Sequence, residues 1–111
     1  MRKGYFAEYF VKKILIKEYG KVNVIKVAIG GSEDFFCIKN GKIDKVVEVK
    51  ETVKNKYYPS LRDKLQINKI KRFAKKHNVR AELFIVFRRG KGRSVKLVKS
   101  PIYIPKHNSK N

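Results

Sequence analysis

The segment DFFCIKNGKIDKVVEVK (residues 34–50) holds two apolar runs joined by Asn40-Gly41, and this pattern decides the fold. Asn-Gly is the pair that most often forms the tight primed turn of a β-hairpin, because both residues tolerate a positive φ. Three valines mark the second strand as buried, yet Glu48 and Lys50 lie among them. A buried charge costs several kcal/mol unless it meets a partner. The sequence therefore predicts a hairpin with a polar site in its second strand.

The residues around this hairpin indicate a single α/β domain. Apolar residues recur at helical spacing over 3–19, which Gly20 stops, and again over 61–77. Strands are predicted at residues 22–29, 34–38, 43–50, 81–87 and 94–99, followed by a tail at 100–111. The order α-β-β-β-α-β-β predicts one domain over 1–111, with a central mixed sheet flanked by helices.

The chain is strongly basic. Its 29 Lys and Arg against 9 Asp and Glu give a net charge of +20. Such a field attracts polyanions and releases their counterions, so nucleic acid is the predicted partner. An anionic membrane surface, or charge that serves only solubility, is the alternative.

Apolar patterning and cysteine content point to the inside of the cell. No apolar run reaches the roughly 18 residues of a membrane span, and the first ten residues lack a secretory apolar region. Cys37 is the single cysteine, so an internal disulfide is excluded and a reduced core residue is predicted. We therefore expect a cytoplasmic protein with no membrane partner.

The few acidic residues are clustered. Five of the nine fall in one short region: Glu33, Asp34, Asp44, Glu48 and Glu51. Local charge balance is one explanation. The sharper one is a hard-cation site, because Mg²⁺ takes one or two carboxylates and completes its shell with water and substrate phosphate.

Strand geometry puts a condition on this metal site. Glu48 and Lys50 point to the same face of their strand, since side chains alternate. A strict two-residue turn would set Asp34 opposite Val47, facing away from Glu48. A three-residue loop, or one bulge in either strand, would bring Asp34 opposite Glu48. The site is therefore predicted to require an irregular hairpin.

Two polar residues on the predicted helices are further candidates. Glu8 flanks Val11 and Leu15 at the edge of an apolar stripe, where it is either a rim glutamate or an acid that reaches the sheet. Gln66 lies within the stripe of the second helix. A buried amide must be hydrogen-bonded, and its partner is either the backbone or the site.

Four segments occur in a recognisable order: RKGYFAE (2–8), GGSED (30–34), EVK (48–50) and LQINKIKRFA (65–74). Together they resemble the archaeal-type Holliday junction resolvases of the PD-(D/E)xK nuclease superfamily. The resemblance implies a restriction-endonuclease-like core and a Mg²⁺-dependent endonuclease in which Mn²⁺ substitutes. It also implies a homodimer that resolves branched DNA by paired nicks in recombination and repair, with no small-molecule cofactor.

The same resemblance implies individual roles. Asp34 and Glu48 would be metal-binding carboxylates, with Glu8 as the helix-borne acid of the site. Lys50 would position or activate the attacking water. Ser32 and Gln66 would complete the catalytic set. Two departures stand out: Glu33 replaces the usual proline, and the Asp34-to-Glu48 spacing is one residue longer, which a bulge would absorb.

Basic residues outside the catalytic set are predicted to contact DNA. Two stretches, KNKYYPS and RRGKGR, would supply phosphate contacts, and a tyrosine of the first would pack on an exposed sugar or base. Both are otherwise ordinary solvated turns. Including the basic residues that the resemblance puts against the DNA backbone, the predicted set is Arg2, Lys3, Lys54, Lys56, Tyr57, Tyr58, Arg62, Arg88, Arg89, Lys91 and Arg93.

Two rival functions stay open. One is a non-enzymatic binder, such as a small ribosomal or chromatin protein, which charge and size fit equally well. The clustered acids argue against it, because they would repel phosphate if no metal were present. The other is a nuclease of the same superfamily that acts on flaps, single strands or ordinary duplex.

Overall fold

A computed structural model of the chain describes residues 5–29, 34–89 and 94–106. Its elements are helices α1 (Tyr5–Tyr19) and α2 (Leu61–His77), a 3₁₀ turn (Lys21–Asn23), and strands β1 (Val24–Val27), β2 (Asp34–Lys39), β3 (Lys42–Thr52), β4 (Arg80–Arg89) and β5 (Ser94–Tyr103). The predicted order of helices and strands is confirmed. So is the α/β class, with a mixed sheet and flanking helices.

The helix ends follow local chemistry. Helix α1 stops at Tyr19 because Gly20 takes a φ of 92°, outside the helical range. Helix α2 starts at a capping box, in which Ser60 accepts from the Asp63 N–H and Asp63 accepts from the Ser60 N–H. It ends at Asn78, whose left-handed φ of 52° closes the last turn.

Within the described residues the sheet has five strands in sequence order, β1-β2-β3-β4-β5. Strands β3 and β4 are parallel, and every other neighbouring pair is antiparallel. A parallel pair needs a crossover, and α2 is the helix that lies between β3 and β4 in sequence. The long strand β3 therefore occupies the centre of the sheet.

Each face of the sheet packs against one helix. Val47 of β3 belongs to the apolar cluster around α1, and its neighbour Val46 belongs to the cluster around α2. Because successive strand residues point to opposite faces, α1 and α2 cover opposite sides of the sheet. We call these sides the α1 face and the α2 face. The α1 cluster contains Ala7, Val11, Leu15, Val24, Phe35, Cys37, Val47, Phe84 and Val86.

The largest differences from the predicted strand bounds are in β1 and β5. The strand expected at 22–29 is only Val24–Val27, because Lys21–Asn23 form a 3₁₀ turn. The prediction that the tail begins at residue 100 is wrong for residues 100–103, because β5 continues to Tyr103 beside β4. Pro101 is tolerated there because β5 is an edge strand and because its pairing with β4 is irregular at this point, where Glu82↔Pro101 is followed by Ala81↔Tyr103.

Cys37 is a free thiol inside the α1 cluster, as predicted. Burial raises the pKa of this thiol to about 12. Such a thiol stays protonated near neutral pH and acts as a small apolar residue. Within the described residues, neither helix combines the length and apolar character that a membrane-spanning helix needs.

Candidate active site

The β2–β3 hairpin contains the irregularity that the predicted metal site requires. Asn40 and Gly41 form a two-residue turn with φ of 55° and 75°. Pairing is regular up to Ile38↔Ile43, and the next pair is Cys37↔Lys45. Asp44 is therefore an extra residue in β3, which is a β-bulge. The expected irregularity is confirmed.

The bulge sets Asp34 directly opposite Glu48. Both residues lie on the α2 face, since the neighbouring Phe35 and Val47 belong to the α1 cluster. Both are fully buried. The N–H of Ile29 donates to Asp34 Oδ2 at 2.8 Å. The hairpin thus brings two carboxyl groups together inside the protein.

Glu48 is electrostatically frustrated. Burial raises its pKa to about 8, and the hydrogen bond and charge of Asp34 act in the same direction. The Lys50 ammonium, 3.0 Å from Glu48 Oε2, acts in the opposite direction without cancelling them. Near neutral pH the carboxyl pair therefore retains a proton that a bound cation would displace.

Lys50 is the centre of a polar network. Its Nζ contacts Glu48, donates to Gln66 Oε1, and lies 3.3 Å from Asp63 Oδ1. Of the two partners predicted for Gln66, the structure shows the site lysine. The Lys50 side chain is 12 % exposed and that of Asp63 is 23 % exposed. Solvent therefore approaches the buried carboxyl pair from the start of α2.

Sequence reasoning missed Asp63. Besides capping α2, it accepts a hydrogen bond from the Tyr57 hydroxyl at 2.9 Å and faces Lys50. Burial tends to raise its pKa, but the bonds from Ser60 and Tyr57 and the Lys50 charge outweigh that and lower it. Asp63 is therefore ionised at neutral pH. The pattern Ser60-x-x-Asp63 marks a capping box in the sequence, and Gln66 lies one turn further along the same helix face.

Glu8 of α1 contacts a lysine of β1. It is buried, and its Oε2 is 2.6 Å from the Lys26 ammonium. Lys26 pairs with Phe35, so it is on the α1 face of β1. Within residues 5–29, 34–89 and 94–106, no group of three or more His, Cys, Asp or Glu side chains is placed to hold a metal ion. The role of Glu8 in the site stays a prediction.

Arg88 and Glu51 form a separate contact at the start of α1. Glu51 accepts from the Ala7 N–H at 3.3 Å and lies 3.4 Å from Arg88. The Arg88 guanidinium also stacks over the Phe6 ring at 4.3 Å. A carboxylate at a helix N-terminus satisfies N–H groups that the helix leaves open. Arg88, predicted to contact DNA, thus has intramolecular partners in this structure.

The other predicted DNA contacts divide into two groups. In the segment before α2 and its first turn, Lys54, Lys56, Tyr58 and Arg62 are exposed, while Tyr57 is partly buried and bonded to Asp63. Lys54 Nζ lies 5.9 Å from the centre of the Tyr58 ring. The remaining predicted DNA contacts, Arg2, Lys3, Lys91, Arg93 and the side chain of Arg89, lie outside the described residues, as do the predicted catalytic residue Ser32 and Glu33.

Comparison of the chain with protein-family profiles, with curated proteins and with solved structures finds no match.

Proposed function

We propose that the chain is a divalent-metal-dependent endodeoxyribonuclease with a restriction-endonuclease-like core, which nicks paired strands of four-way DNA junctions as a homodimer. The observation that carries the proposal is the opposition of Asp34 and Glu48 across a bulged hairpin, with Lys50 3.0 Å from Glu48. An E-x-K motif that occurs in a strand by chance gives no reason to expect a second carboxyl group opposite its glutamate. Here a bulge in β3 brings that second carboxyl group into place.

The donor set fits Mg²⁺ or Mn²⁺. Asp34 and Glu48 supply carboxylate oxygens, which are hard ligands, and two of them match what Mg²⁺ takes from proteins. The raised pKa of Glu48 supports the same idea, because the buried pair gains a favourable counter-charge when a cation replaces its proton. Such a cation, when bound, polarises the scissile phosphate and makes a water more acidic.

The side chains around the pair then have defined tasks. Lys50 holds its positive charge beside Glu48, where it orients the attacking water and offsets negative charge that develops on the phosphate. Gln66 and Asp63 fix the position of the Lys50 ammonium. In-line attack of the water on the phosphorus breaks the P–O3′ bond, so that the products are a 5′-phosphate and a 3′-hydroxyl, whose proton comes from the water.

The charge and the junction suit each other. A net charge of +20 favours a substrate with closely spaced phosphates, such as the centre of a four-way junction. Such a junction offers two equivalent strands, which a dimer with two-fold symmetry matches. Flaps, single strands and plain duplex use the same chemistry, so the substrate panel below includes them.

Cleavage of end-labelled DNA tests the proposal. A four-way junction, a flap, a single strand and a linear duplex are incubated with Mg²⁺ or Mn²⁺ and wild-type protein or Glu48→Gln. Glu82→Gln is the matched control, because Glu82 is an acid on the adjacent strand, 3.0 Å from Lys45. We expect wild type and Glu82→Gln to cut the junction and Glu48→Gln to be inactive. If the protein binds DNA but cuts none of these substrates at any cation concentration, the proposed nuclease activity is refuted.

One observation favours a second candidate, a non-enzymatic basic DNA- or RNA-binding protein. Lys50 already has three polar partners, Glu48, Asp63 and Gln66, as a purely structural lysine would. In that case Glu48→Gln would bind nucleic acid as wild type does, and added Mg²⁺ would leave the stability of both proteins unchanged.

A further inference from the structure

An exposed apolar patch lies where the chain enters α2. Its members are Tyr58, Leu61 and Leu65, which are 66 %, 74 % and 55 % exposed. Leu61 and Leu65 are four residues apart and so adjacent on the outer side of α2. The bond from Tyr57 to Asp63 holds the preceding segment against the first turn of the helix. We call these three residues the Tyr58 patch.

Two contacts connect the Tyr58 patch to the candidate active site. Tyr57, next to Tyr58, donates to Asp63 Oδ2 at 2.9 Å, and Asp63 Oδ1 lies 3.3 Å from Lys50 Nζ. Exposure rises along this route, from the fully buried Glu48 through Lys50 and Asp63 to Tyr58. This route leads from the buried carboxyl pair to the protein surface at the residue next to Tyr57, which is Tyr58.

The charge of the side chains near the Tyr58 patch indicates which kind of partner binds there. Four exposed cations lie close to it in the sequence: Lys54, Lys56, Arg62 and Lys64. The Lys54 ammonium lies 5.9 Å from the Tyr58 ring, a cation–π contact. A second copy of the chain would bring two such cationic borders together, which repel. A nucleic-acid strand offers what both parts need, phosphates for the lysines and the flat apolar face of a base for the patch.

We propose that the Tyr58 patch stacks an unpaired DNA base beside the scissile phosphate, so that the chain selects DNA that presents unstacked nucleotides. This rests on the proposed nuclease function and names its substrate class. A continuous duplex keeps both faces of each base covered, whereas a gap, a flap or an open junction centre exposes them. Plain duplex would thus contact the lysines alone and bind less tightly.

Binding without cleavage tests this proposal, in EDTA and at fixed salt. The probes are a duplex with a short single-stranded gap, the same DNA with abasic gap nucleotides, and the fully paired duplex. We expect wild type to prefer the gapped DNA over the abasic one by roughly 5- to 100-fold, the range for one stacked base. In Tyr58→Leu this preference should vanish, and in Tyr58→Phe it should persist.

A matched control separates stacking from general effects of losing a tyrosine. Tyr9 of α1 is also exposed and also has a lysine near its ring, with Lys13 Nζ 5.3 Å from the ring centre. The Tyr9→Leu variant should therefore keep the preference for gapped over abasic DNA. Equal loss of affinity for all three DNAs in Tyr58→Leu would overturn the proposal. Loss of self-association or of binding to phosphatidylserine vesicles, with DNA affinities unchanged, would also overturn it and assign the patch to a second copy or a membrane.

The two proposals fail separately. If Tyr58-dependent selection of the gapped DNA is present but Mg²⁺ and Mn²⁺ give no cleavage, the nuclease is refuted and the stacking surface stands. If cleavage occurs with no dependence on Tyr58, the stacking surface is refuted and the nuclease stands.

Discussion

Asp34 lies directly opposite Glu48 because β3 contains one residue, Asp44, that β2 does not match. The carboxyl pair thus depends on the residue count between the two acids as well as on their identity. The Tyr19 hydroxyl donates to Asp44 Oδ2 at 2.5 Å, so the extra residue is also held from α1.

Two single-residue deletions in this hairpin should have opposite outcomes. Removing Asp44 eliminates the bulge and leaves Cys37↔Lys45 and Asp34↔Glu48 as regular pairs. We therefore expect the variant to cleave DNA. The loss of the Tyr19 bond should lower stability by about 0.5–1.5 kcal/mol. Removing Lys39, also exposed and next to the turn, shortens β2 instead and shifts Asp34 away from Glu48. Thermal melts and junction cleavage compare the two; equal loss in both would contradict the register argument.

The free energy of unfolding should depend on pH through Glu48. Its pKa rises from 4.5 to about 8 on folding, mainly by burial, so the folded protein keeps a proton that the unfolded chain loses. Stability from this group is full below pH 4.5 and falls as pH rises toward 8, by at most about 1.4 kcal/mol per pH unit. Urea titrations in EDTA should show this decline in wild type. In Glu48→Gln it should be absent, and parallel profiles would contradict the prediction.

Added Mg²⁺ should reverse that decline. At pH 8 a cation at Asp34 and Glu48 takes the place of the proton, and a ligand present at about 100 times its Kd adds about 2.7 kcal/mol of stability. We expect the urea midpoint of wild type to rise with Mg²⁺ and that of Glu48→Gln to stay unchanged. The same rise in both proteins would assign the effect to cations bound elsewhere.

Asp63 should act on cleavage through Lys50. Asp63→Asn removes the negative charge 3.3 Å from the Lys50 ammonium, and we expect cleavage to fall roughly 10- to 100-fold, as for loss of one charged hydrogen bond. Ser60→Ala is the control. It breaks the other half of the capping box and costs about 1 kcal/mol of stability, but leaves Asp63 beside Lys50. If both variants lose activity in proportion to stability, Asp63 is only a helix cap.

Glu8 can be tested against its own ion-pair partner. If Glu8 serves the site, as the resemblance implies, Glu8→Gln should lower cleavage by about tenfold or more. Lys26→Met removes the same 2.6 Å ion pair but keeps the carboxylate, so it should lower stability and leave cleavage of the folded protein intact. Equal activity in wild type and Glu8→Gln would place Glu8 outside the site.

Local patterns predicted most of the fold. The Asn40-Gly41 turn, the Gly20 stop and the span of α2 follow from residue preferences that act over a few positions. The extent of β5 was missed because Pro101 normally ends a strand, whereas an edge position tolerates it. The number of residues between Asp34 and Glu48 shows that a bulge is needed to set them opposite each other. That number does not show that the bulge is at Asp44, because its position depends on packing.

The site was partly predictable for the same reason. Opposition of Asp34 and Glu48 follows from strand pairing, which the sequence pattern indicates. The contact of Asp63 with Lys50 needs α2 to lie across β3, and the contact of Arg88 with Glu51 needs the parallel β3–β4 register. Such long-range placements have no local signature in a single sequence.

The bulge at Asp44 also affects how relatives of this chain would be recognised. A protein with a regular hairpin and one residue fewer between its two acids would present the same carboxyl pair on the same face of its sheet. A search pattern with a fixed Asp-to-Glu interval would accept one of these proteins and reject the other. Alignments should therefore allow a one-residue gap at position 44 before two chains are judged to differ in their chemistry.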